Sequence, residues 1–293
     1  MRIVVTGCGG QLGSELCRGA GADLIGLDLP DFDLTNRQGV VETLCRIAPQ
    51  AIINTAAFTQ VDRAEDEPQR CHAVNADGVA HLVEACRRLD AVLVQLSTDY
   101  VFGRDAARRD PYCESDEPGP LGVYANTKLE GERLAARWPK HFVVRTCGLY
   151  GQGGPRASGN FPQAILRLAR EGRPLQIVDD QRCSPSYVPH VARAIRFFLG
   201  TGAFGTYHVV NRGDASWFEL AAELIRLAGL EAELTPITTA EYGARAPRPA
   251  YSVLDTAKYH GLSGRPEMPR WQDALAEYVR SPAYIPRSSS SSR

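Results

Sequence analysis

Lysine is scarce in this sequence. Of 33 cationic side chains only Lys128, Lys140 and Lys258 are lysines, and arginine supplies the rest. A lysine retained in such a chain suggests a site that needs a compact ammonium and not a planar guanidinium fork. The 34 acidic residues leave a net charge of −1, so the chain lacks the basic footprint of a nucleic-acid-binding protein. We therefore expect no nucleic acid among its partners.

Long apolar runs and paired cysteines are also missing. No stretch approaches the ~18–20 residues of a membrane-spanning helix, and the chain passes directly into Met1-Arg-Ile-Val-Val5 without the apolar segment of a signal peptide. The eight cysteines are scattered without a C-x-x-C pair, which argues against a disulfide framework or a zinc site. We expect a cytoplasmic protein with reduced thiols, no membrane partner and no metal.

The sequence does contain a regular alternation of short apolar runs and amphipathic segments. This pattern predicts an α/β fold, a doubly wound parallel sheet of the Rossmann type with a smaller C-terminal substrate-binding part. The predicted strands are 3–6, 23–27, 51–54, 91–97, 142–146 and 205–210, and the predicted helices are 74–89, 121–138, 161–171, 188–199, 217–227 and 271–279. Thr35 to Gln38 fits a capping box before one more helix. We assign residues 1–147 and roughly 187–211 to the doubly wound domain, residues 148–186 and roughly 212–281 to the smaller C-terminal part, and residues 282–293 to a disordered tail.

A glycine-rich loop follows the first predicted strand. Gly7, Gly10 and Gly13 have the spacing G-x-x-G-x-x-G, with Gln11 and Leu12 before the last glycine. Glycines at such a strand-to-helix junction permit a tight turn and let the backbone approach a pyrophosphate at the helix N-terminus. The context therefore predicts a dinucleotide-binding loop.

Asp28 ends the second predicted strand. A carboxylate there can hold the 2′-hydroxyl of an adenosine ribose, which favours NAD over NADP, although a solvated loop aspartate has the same sequence. Asp33-Leu34 is a weaker candidate for the adenine. The third strand ends in small residues, Ala56-Ala57, which suit either a flat cofactor or ordinary core packing.

Tyr124 and Lys128 lie four residues apart on a predicted helix. This spacing places both side chains on one helix face. A fixed cation beside a phenol pulls its pKa down from about 10 toward neutrality, which makes the tyrosine a proton donor to a developing alkoxide. An exposed helical pair is the alternative interpretation of the same spacing.

Together with the segment that leaves the fourth strand, these motifs resemble the extended short-chain dehydrogenase/reductases and, within them, the dTDP-4-dehydrorhamnose reductases. The glycine loop and Y-x-x-x-K mark the superfamily, whereas Ser97-Thr-Asp-Tyr-Val-Phe102 is far more specific. The matching segments are Gly7–Gly13, Ala56–Thr59, Val61–Glu65, Val74–Ala76, Ser97–Phe102, Tyr124–Lys128, Asn160-Phe161, Asp179–Gln181 ahead of Ser184-Pro185, and Arg248-Pro249 leading to Ser252.

The resemblance implies roles for particular residues. Thr98 would bind the substrate carbonyl oxygen, and Asp99 a neighbouring sugar hydroxyl. Tyr124 would donate the proton, while Lys128 would bind the nicotinamide ribose and lower the pKa of the tyrosine. The cofactor, NADPH or NADH, would be bound by Gly7, Gly10, Gln11, Leu12, Gly13, Asp28, Asp33, Leu34, Ala56, Ala57, Phe58, Thr59 and Ser97 together with Tyr124 and Lys128. Thr98, Asp99, Gly148, Asn160 and Arg248 would contact the substrate.

Gly148 departs from the family pattern, because the family commonly has a tryptophan there that lies against the sugar. We expect a wider pocket, which leaves room for another 4-keto-6-deoxy sugar nucleotide. Trp217 is an unlikely replacement for the family's tryptophan, since it begins a predicted amphipathic helix and such a residue is typical of the hydrophobic core. Arg248 is the best candidate for the nucleotide diphosphate, and an exposed loop arginine is the alternative. The acidic run from Glu65 suggests a solvated helix start.

The resulting hypothesis is NAD(P)H-dependent reduction of the C4 ketone of a dTDP-4-keto-6-deoxyhexose, with dTDP-4-dehydrorhamnose to dTDP-L-rhamnose as the first candidate, in the biosynthesis of cell-surface polysaccharide. The protein would be a monomer or homodimer. Another sugar-nucleotide 4-ketoreductase or a 4-epimerase stays open. A 4,6-dehydratase is disfavoured because Tyr100, not a second carboxylate, follows Thr98-Asp99. A regulatory subunit resembling that of methionine adenosyltransferase is the non-enzymatic alternative.

Overall fold

The computed structural model describes residues 1–19, 21, 23–155, 157 and 159–281. The predicted disordered tail, residues 282–293, lies outside the described residues. The strands are β1 (Ile3–Thr6), β2 (Leu24–Leu27), β3 (Ala51–Asn54), β4 (Val92–Thr98), β5 (His141–Thr146), β6 (Leu149–Tyr150), β7 (Leu175–Val178), β8 (Arg182–Cys183), β9 (Ser186–Tyr187), β10 (Gly205–His208), β11 (Ala215–Ser216) and β12 (Leu234–Ile237).

The helices follow the strands in the predicted alternation. They are α1 (Gln11–Cys17), α2 (Arg37–Ile47), α3 (Val61–Ala64), α4 (Pro68–His72), α5 (Gly78–Leu89), α6 (Gly122–Ala135), α7 (Phe161–Arg170), α8 (Val188–Phe198), α9 (Trp217–Ala228), α10 (Thr239–Tyr242), α11 (Ala257–His260) and α12 (Trp271–Arg280). A π-helical segment, Ala73–Asp77, joins α4 to α5, and a 3₁₀ turn, Asp99–Val101, follows β4.

Six of the strands form one parallel sheet in the order β10-β5-β4-β3-β1-β2. Successive side chains of a strand point to opposite faces, and Val4 and Val5 of β1 accordingly belong to different apolar clusters. One cluster includes Leu16 and Val191 of α1 and α8, and the other includes Leu82 of α5. Helices therefore cover both faces, and the predicted doubly wound parallel sheet is confirmed.

A third apolar cluster lies among α7, α9, α12 and β7. Its buried members include Tyr150, Leu166, Leu224 and Leu275. Beside it, β7 and β12 form a separate two-stranded parallel pair, which the sequence pattern did not predict. This cluster is built from residues after β5, where the predicted strand–helix alternation becomes looser.

One local prediction was wrong. The cap of α2 is Asn36, whose side chain accepts a hydrogen bond from Gly39 N at 3.0 Å, whereas the Thr35 hydroxyl donates to Asp33 at 2.8 Å. The adjacent amide of Asn36 therefore replaces the predicted capping box of Thr35 and Gln38. The predicted helix 74–89 is confirmed, with a π-helical first part, Ala73–Asp77, that continues into α5 at Gly78.

Parallel strands place their carboxyl ends at one edge of the sheet, where ligands of such folds bind. The glycine loop follows β1, Thr55–Thr59 follows β3, Asp99 follows β4 and Gly148 follows β5. The predicted site residues from four strands are thus gathered at that edge. Among the residues that the structure describes, no helix combines the length and the apolar character needed to cross a membrane.

Candidate active site

The loop after β1 tolerates only glycine at two positions. Gly7 has a φ of +71°, and a Cβ on it would lie 2.6 Å from the amide nitrogen of Ala56. A Cβ on Gly13 would lie 2.2 Å from the carbonyl oxygen of Gly7. The Thr55 hydroxyl donates to the Thr6 carbonyl at 2.7 Å and so fastens the end of β3 to this loop. The loop is therefore a bare backbone surface that a flat or anionic group can approach closely.

Asp28 lies beside this loop. One carboxylate oxygen, Oδ2, accepts a hydrogen bond from Gly9 N at 2.8 Å, and Oδ1 accepts one from Leu29 N at 2.8 Å. A carboxylate has about four acceptor sites, so lone pairs remain for a ribose hydroxyl. The solvated-loop alternative does not describe this residue, because its carboxylate holds the glycine loop in place.

Asp33 and Leu34 are placed less favourably. The Asp33 carboxylate accepts from the backbone amide and hydroxyl of Thr35 at 2.9 and 2.8 Å and closes a turn. The Leu34 side chain is buried in an apolar cluster, while its carbonyl oxygen bonds to Nδ1 of His81 at 2.8 Å. An adenine contact by these two residues stays a prediction.

The segment after β3 is connected to the helix that carries Tyr124. Asn75 accepts a hydrogen bond from Phe58 N at 2.9 Å and donates to the Phe58 carbonyl at 3.2 Å. The same amide donates to the Thr127 hydroxyl of α6 at 3.2 Å. Ala56, Ala57 and Phe58 are half-buried and Thr59 is exposed. Sequence reasoning recorded Asn75 only as part of a matching segment, and its buried amide links the two halves of the predicted cofactor site.

Lys128 is buried, and its ammonium donates to the Leu96 carbonyl at 2.6 Å. Burial lowers the pKa of Lys128 to about 8, while the charge of Glu132 acts in the opposite direction. Glu132, one helical turn later, is itself held by Arg145, with Nη2 and Oε2 2.8 Å apart. An ammonium has three donors, so Lys128 retains protons for a ligand beside β4.

Tyr124 has a pKa above its ordinary value, which is opposite to the sequence-based prediction. Burial is the main cause, the charge of Asp99 adds to it, and a hydrogen bond with the Thr98 side chain lowers it. Lys128 is not among the groups that shift this pKa, and burial of the phenol dominates. The predicted depression of the tyrosine pKa was therefore wrong for this state of the protein.

The proton positions around Thr98 follow from its partners. Its hydroxyl donates to Asp99 Oδ1 at 3.1 Å and accepts from Tyr100 N at 3.2 Å. The Thr98 side chain is also hydrogen-bonded to the Tyr124 phenol. Thr98 and Tyr124 are thus brought together at the end of β4.

Asp99 is only 2% exposed, and both of its oxygens have protein donors. Besides Thr98, Oδ2 accepts from Ser252 Oγ at 2.5 Å and from Cys147 Sγ at 3.0 Å. Burial raises the pKa of Asp99, and these hydrogen bonds oppose the rise. The carboxylate faces the protein, so its predicted contact with a sugar hydroxyl stays a prediction. Sequence reasoning assigned no role to Cys147 or Ser252.

Ser97 also lies at this edge, and its buried hydroxyl has no hydrogen-bond partner among the described residues. Buried polar groups are nearly always paired, so an unpaired hydroxyl one residue before Thr98 indicates a place for a polar ligand. Together with the glycine backbone, it fits a nicotinamide dinucleotide. Within the described part of the chain, no group of three or more His, Cys, Asp and Glu side chains is arranged to hold a metal ion.

Gly148 has a φ of +48°, and the ring of Trp217 lies next to it. A Cβ on Gly148 would be 3.5 Å from Cη2 of Trp217. The half-buried indole also packs on Phe161, with ring centroids 4.9 Å apart, and donates from Nε1 to Gln181 at 3.3 Å. Trp217 is in contact with core residues as predicted, but its indole also borders the position that we expected to leave the pocket wider.

The remaining substrate candidates have protein partners. Asn160 donates to Gln11 Oε1 at 2.9 Å and caps α7 by accepting from Gln163 N at 3.0 Å. The Arg248 guanidinium binds both carboxylate oxygens of Asp62, at 3.1 and 2.9 Å. This pair lowers the pKa of Asp62. Asn160 is therefore adjacent to the glycine loop, whereas two donors of Arg248 are engaged in an ion pair.

Comparison with known proteins agrees with this geometry. The sequence profile of the RmlD substrate binding domain family matches residues 1–283. A dTDP-4-dehydrorhamnose reductase of Streptomyces griseus is 38% identical over 289 residues, covering 94% of this chain and 92% of the relative. The spore coat polysaccharide biosynthesis protein SpsK of Bacillus subtilis is 36% identical over 283 residues, covering 95% and 97%.

A solved structure gives the same result. The dTDP-4-dehydrorhamnose reductase of Bacillus anthracis, in complex with NADP, superimposes with a TM-score of 0.89 at 35% identity and covers 95% of this chain and 98% of its own. Sequence and fold therefore agree over almost the entire length, and the resemblance stated from the motifs is confirmed. This chain belongs to the RmlD substrate binding domain family.

Proposed function

We propose that this protein reduces the C4 ketone of a dTDP-4-keto-6-deoxyhexose with NAD(P)H, and that dTDP-4-dehydrorhamnose is the substrate and dTDP-L-rhamnose the product. The relatives named above as dTDP-4-dehydrorhamnose reductases support this substrate. The observation that carries the proposal is the junction of Thr98, Tyr124 and Lys128 at the carboxyl end of β4. Rhamnose formation for cell-surface polysaccharide is the corresponding process.

The residues present fit a nicotinamide dinucleotide. Gly7, Gly10 and Gly13 would hold the pyrophosphate, Asp28 the adenosine ribose, and Ser97 with Lys128 the nicotinamide end. The relative from Bacillus anthracis binds NADP, while Asp28 favours a free 2′-hydroxyl, so we propose NADPH or NADH. When bound, this cofactor supplies the hydride.

Tyr124 supplies the proton in this proposal. Because its pKa is raised, the phenol is protonated at neutral pH and can donate. A ketone oxygen placed between the Tyr124 and Thr98 hydroxyl groups would receive this proton. The charge that develops on that oxygen is stabilised by donors already in position. Below pH about 8 Lys128 is an ammonium and stabilises the tyrosinate that remains.

The two enzyme alternatives use the same scaffold. A 4,6-dehydratase needs a second carboxylate after Asp99, and Tyr100 occupies that position with its ring edge-on to Tyr124 at 6.0 Å. A 4-epimerase would retain its nicotinamide through the cycle, so purified protein that carries bound cofactor would favour it. A regulatory subunit is disfavoured because Thr98, Tyr124 and Lys128 are all intact. A stoichiometric partner without turnover would favour that alternative.

We also propose that two parts of the chain bind different ligands. Residues 1–147 with roughly 187–211 would bind the cofactor, and residues 148–186 with roughly 212–281 would bind the sugar nucleotide. The separate apolar cluster among α7, α9 and α12 supports this division. The eight free thiols support a reducing, cytoplasmic location. We propose a monomer or homodimer.

The test is a spectrophotometric assay of nicotinamide oxidation with dTDP-4-dehydrorhamnose and its 4-keto relatives, comparing the wild type with Tyr124→Phe. Loss of a general acid lowers the rate by about 10²–10⁴-fold. We expect kcat of Tyr124→Phe to fall in this range without loss of cofactor binding. Equal rates in the two proteins would refute the role of Tyr124 as proton donor. If only a different 4-keto sugar nucleotide is turned over, then dTDP-4-dehydrorhamnose is not the substrate.

A further inference from the structure

Helix α6, which carries Tyr124 and Lys128, begins without a cap of its own. Its N-cap residue is Leu121, which has no side-chain acceptor, and the first helical residue, Gly122, has a φ of +66°. The first four amides of a helix lack partners within that helix. Tyr124 lies in this first turn, so whatever holds these amides also fixes the base of the phenol.

A carboxylate from a distant part of the chain supplies the missing acceptor. Glu65, directly after α3, accepts a hydrogen bond through Oε1 from Val123 N at 2.8 Å, across 58 residues of sequence. A negative charge at a helix N-terminus also interacts favourably with the helix dipole. Val123 is the residue immediately before Tyr124, so the hydrogen bond acts one peptide unit from the phenol-bearing residue.

Gly122 is enclosed between this carboxylate and the C-terminal loop. A Cβ at Gly122 would lie 2.7 Å from Glu65 Oε1 and 3.3 Å from Cδ of Pro247. Only a glycine leaves Glu65 free to reach the amide of the next residue. The missing side chain at Gly122 is thus explained by the approach of Glu65 as well as by its positive φ.

The same short segment also holds the loop that contains Pro247. Asp62 of α3 binds the Arg248 guanidinium with both oxygens and accepts from Ala246 N at 3.0 Å. Residues on either side of Pro247 are therefore fixed to α3. The start of the catalytic helix, α3 and the loop around Pro247 form one connected junction, in which Glu65 is the contact to α6.

We propose that Glu65 is a positioning residue for Tyr124: by capping the first turn of α6 it holds the phenol in place for proton donation. The inference rests on the proposed reductase function. Glu65 does not touch the reacting atoms and does not exchange protons with them. It contributes an acceptor at a fixed place, so an amide oxygen at the same position should serve nearly as well as a carboxylate.

The experiment compares Glu65→Ala and Glu65→Gln with the wild type, and with Thr238→Ala as the matched control. Thr238 caps another helix, α10, by accepting from Glu241 N at 3.2 Å. Three quantities are measured: kcat and KM for sugar nucleotide and NADPH, thermal stability, and amide hydrogen exchange of residues 121–126. Exchange is followed on the full-length protein and needs no turnover.

We expect Glu65→Ala to lower kcat at least tenfold and to accelerate exchange in residues 121–126, with KM for NADPH changed less than threefold. Glu65→Gln should restore kcat to within threefold of the wild type, and Thr238→Ala should lose stability without loss of kcat. Unchanged exchange in Glu65→Ala, or unchanged kcat in an active folded protein, would overturn the proposal. If the wild type turns over no sugar nucleotide, the proposed function fails, and the exchange data still decide whether Glu65 holds the helix.

Discussion

The indole of Trp217 borders Gly148, with Cη2 of the ring 3.5 Å from the position of a Cβ on the glycine. Trp217 comes from the start of α9 and Gly148 from the end of β5, so two distant segments meet beside the predicted sugar site. A rigid aromatic ring beside a glycine offers a flat surface for the apolar face of a sugar. The absence of a tryptophan at position 148 therefore does not by itself make the pocket wider.

We expect Trp217→Ala to raise KM for the sugar nucleotide about two- to tenfold and to leave KM for NADPH unchanged. Loss of an aromatic contact is worth about 0.5–1.5 kcal/mol, and about 1.4 kcal/mol corresponds to a factor of ten. Trp217→Phe should be close to the wild type, since it keeps a ring against Phe161. Steady-state kinetics with both substrates checks the prediction.

The control is Trp138→Phe, because Trp138 is half-buried like Trp217 and its Nε1 donates to the Ala91 carbonyl at 2.8 Å. It should lose some stability and keep both KM values. If Trp217→Ala loses only thermal stability and keeps KM for the sugar nucleotide, then Trp217 is a residue of the hydrophobic core that does not contact the bound sugar.

Lys128 gives the free protein a specific pH dependence of stability. Burial lowers its pKa from 10.5 to about 8, so between these values the unfolded chain binds more protons than the native protein. Stability must then rise with pH across this window. Below pH about 8 the buried ammonium destabilises the native state by up to about 3 kcal/mol, at about 1.4 kcal/mol per unit of pKa shift.

We expect Lys128→Met to be more stable than the wild type near neutral pH, and this advantage to shrink as pH rises toward 10.5. Urea unfolding of both proteins across the window measures the difference. Lys258→Met controls for the loss of an exposed lysine. A stability advantage that grows with pH would have the wrong sign and would show that the Lys128 pKa is not lowered.

The sequence predicted the site best where one short segment determines both position and chemistry. The bounds of β1 and β3 were predicted correctly because each is a short apolar run that ends at a turn. Tyr124 and Lys128 were identified by their helical spacing together with the glycine loop and the Ser97–Phe102 segment. The cap of α2 was misjudged because Thr35 and Asn36 are adjacent and either side chain can cap; only the fold shows that Asp33 takes the threonine hydroxyl.

The remaining features depend on contacts between distant residues. Glu65 has the sequence of a solvated helix start, and its partner Val123 lies 58 residues away. Ser252 meets Asp99 across 153 residues. The pKa of Tyr124 was misjudged for the same reason: helical spacing places a lysine nearby but does not show that the fold buries the phenol. A spacing rule identifies residue types, and the tertiary fold decides their partners.

The contact between Ser252 and Asp99 leads to the last prediction. A hydrogen bond to a carboxylate favours its charged form, and the Ser252 hydroxyl reaches Oδ2 of Asp99 at 2.5 Å. We expect Ser252→Ala to raise the pKa of Asp99 further. A protonated Asp99 is a weaker acceptor for the Thr98 hydroxyl, and this change disturbs the pair of hydroxyl groups that would receive the ketone oxygen.

The acid limb of the pH–kcat profile of Ser252→Ala should therefore move to higher pH, with an unchanged plateau. A hydrogen bond to a charged group is worth about 1.5–3 kcal/mol, which corresponds to about one to two pH units. Cys147→Ser is the matched control, because a hydroxyl in place of the thiol still donates to the same oxygen, and its profile should shift less. An acid limb that coincides with that of the wild type in Ser252→Ala would contradict the prediction and would leave Ser252 with a purely structural role at the loop after Arg248.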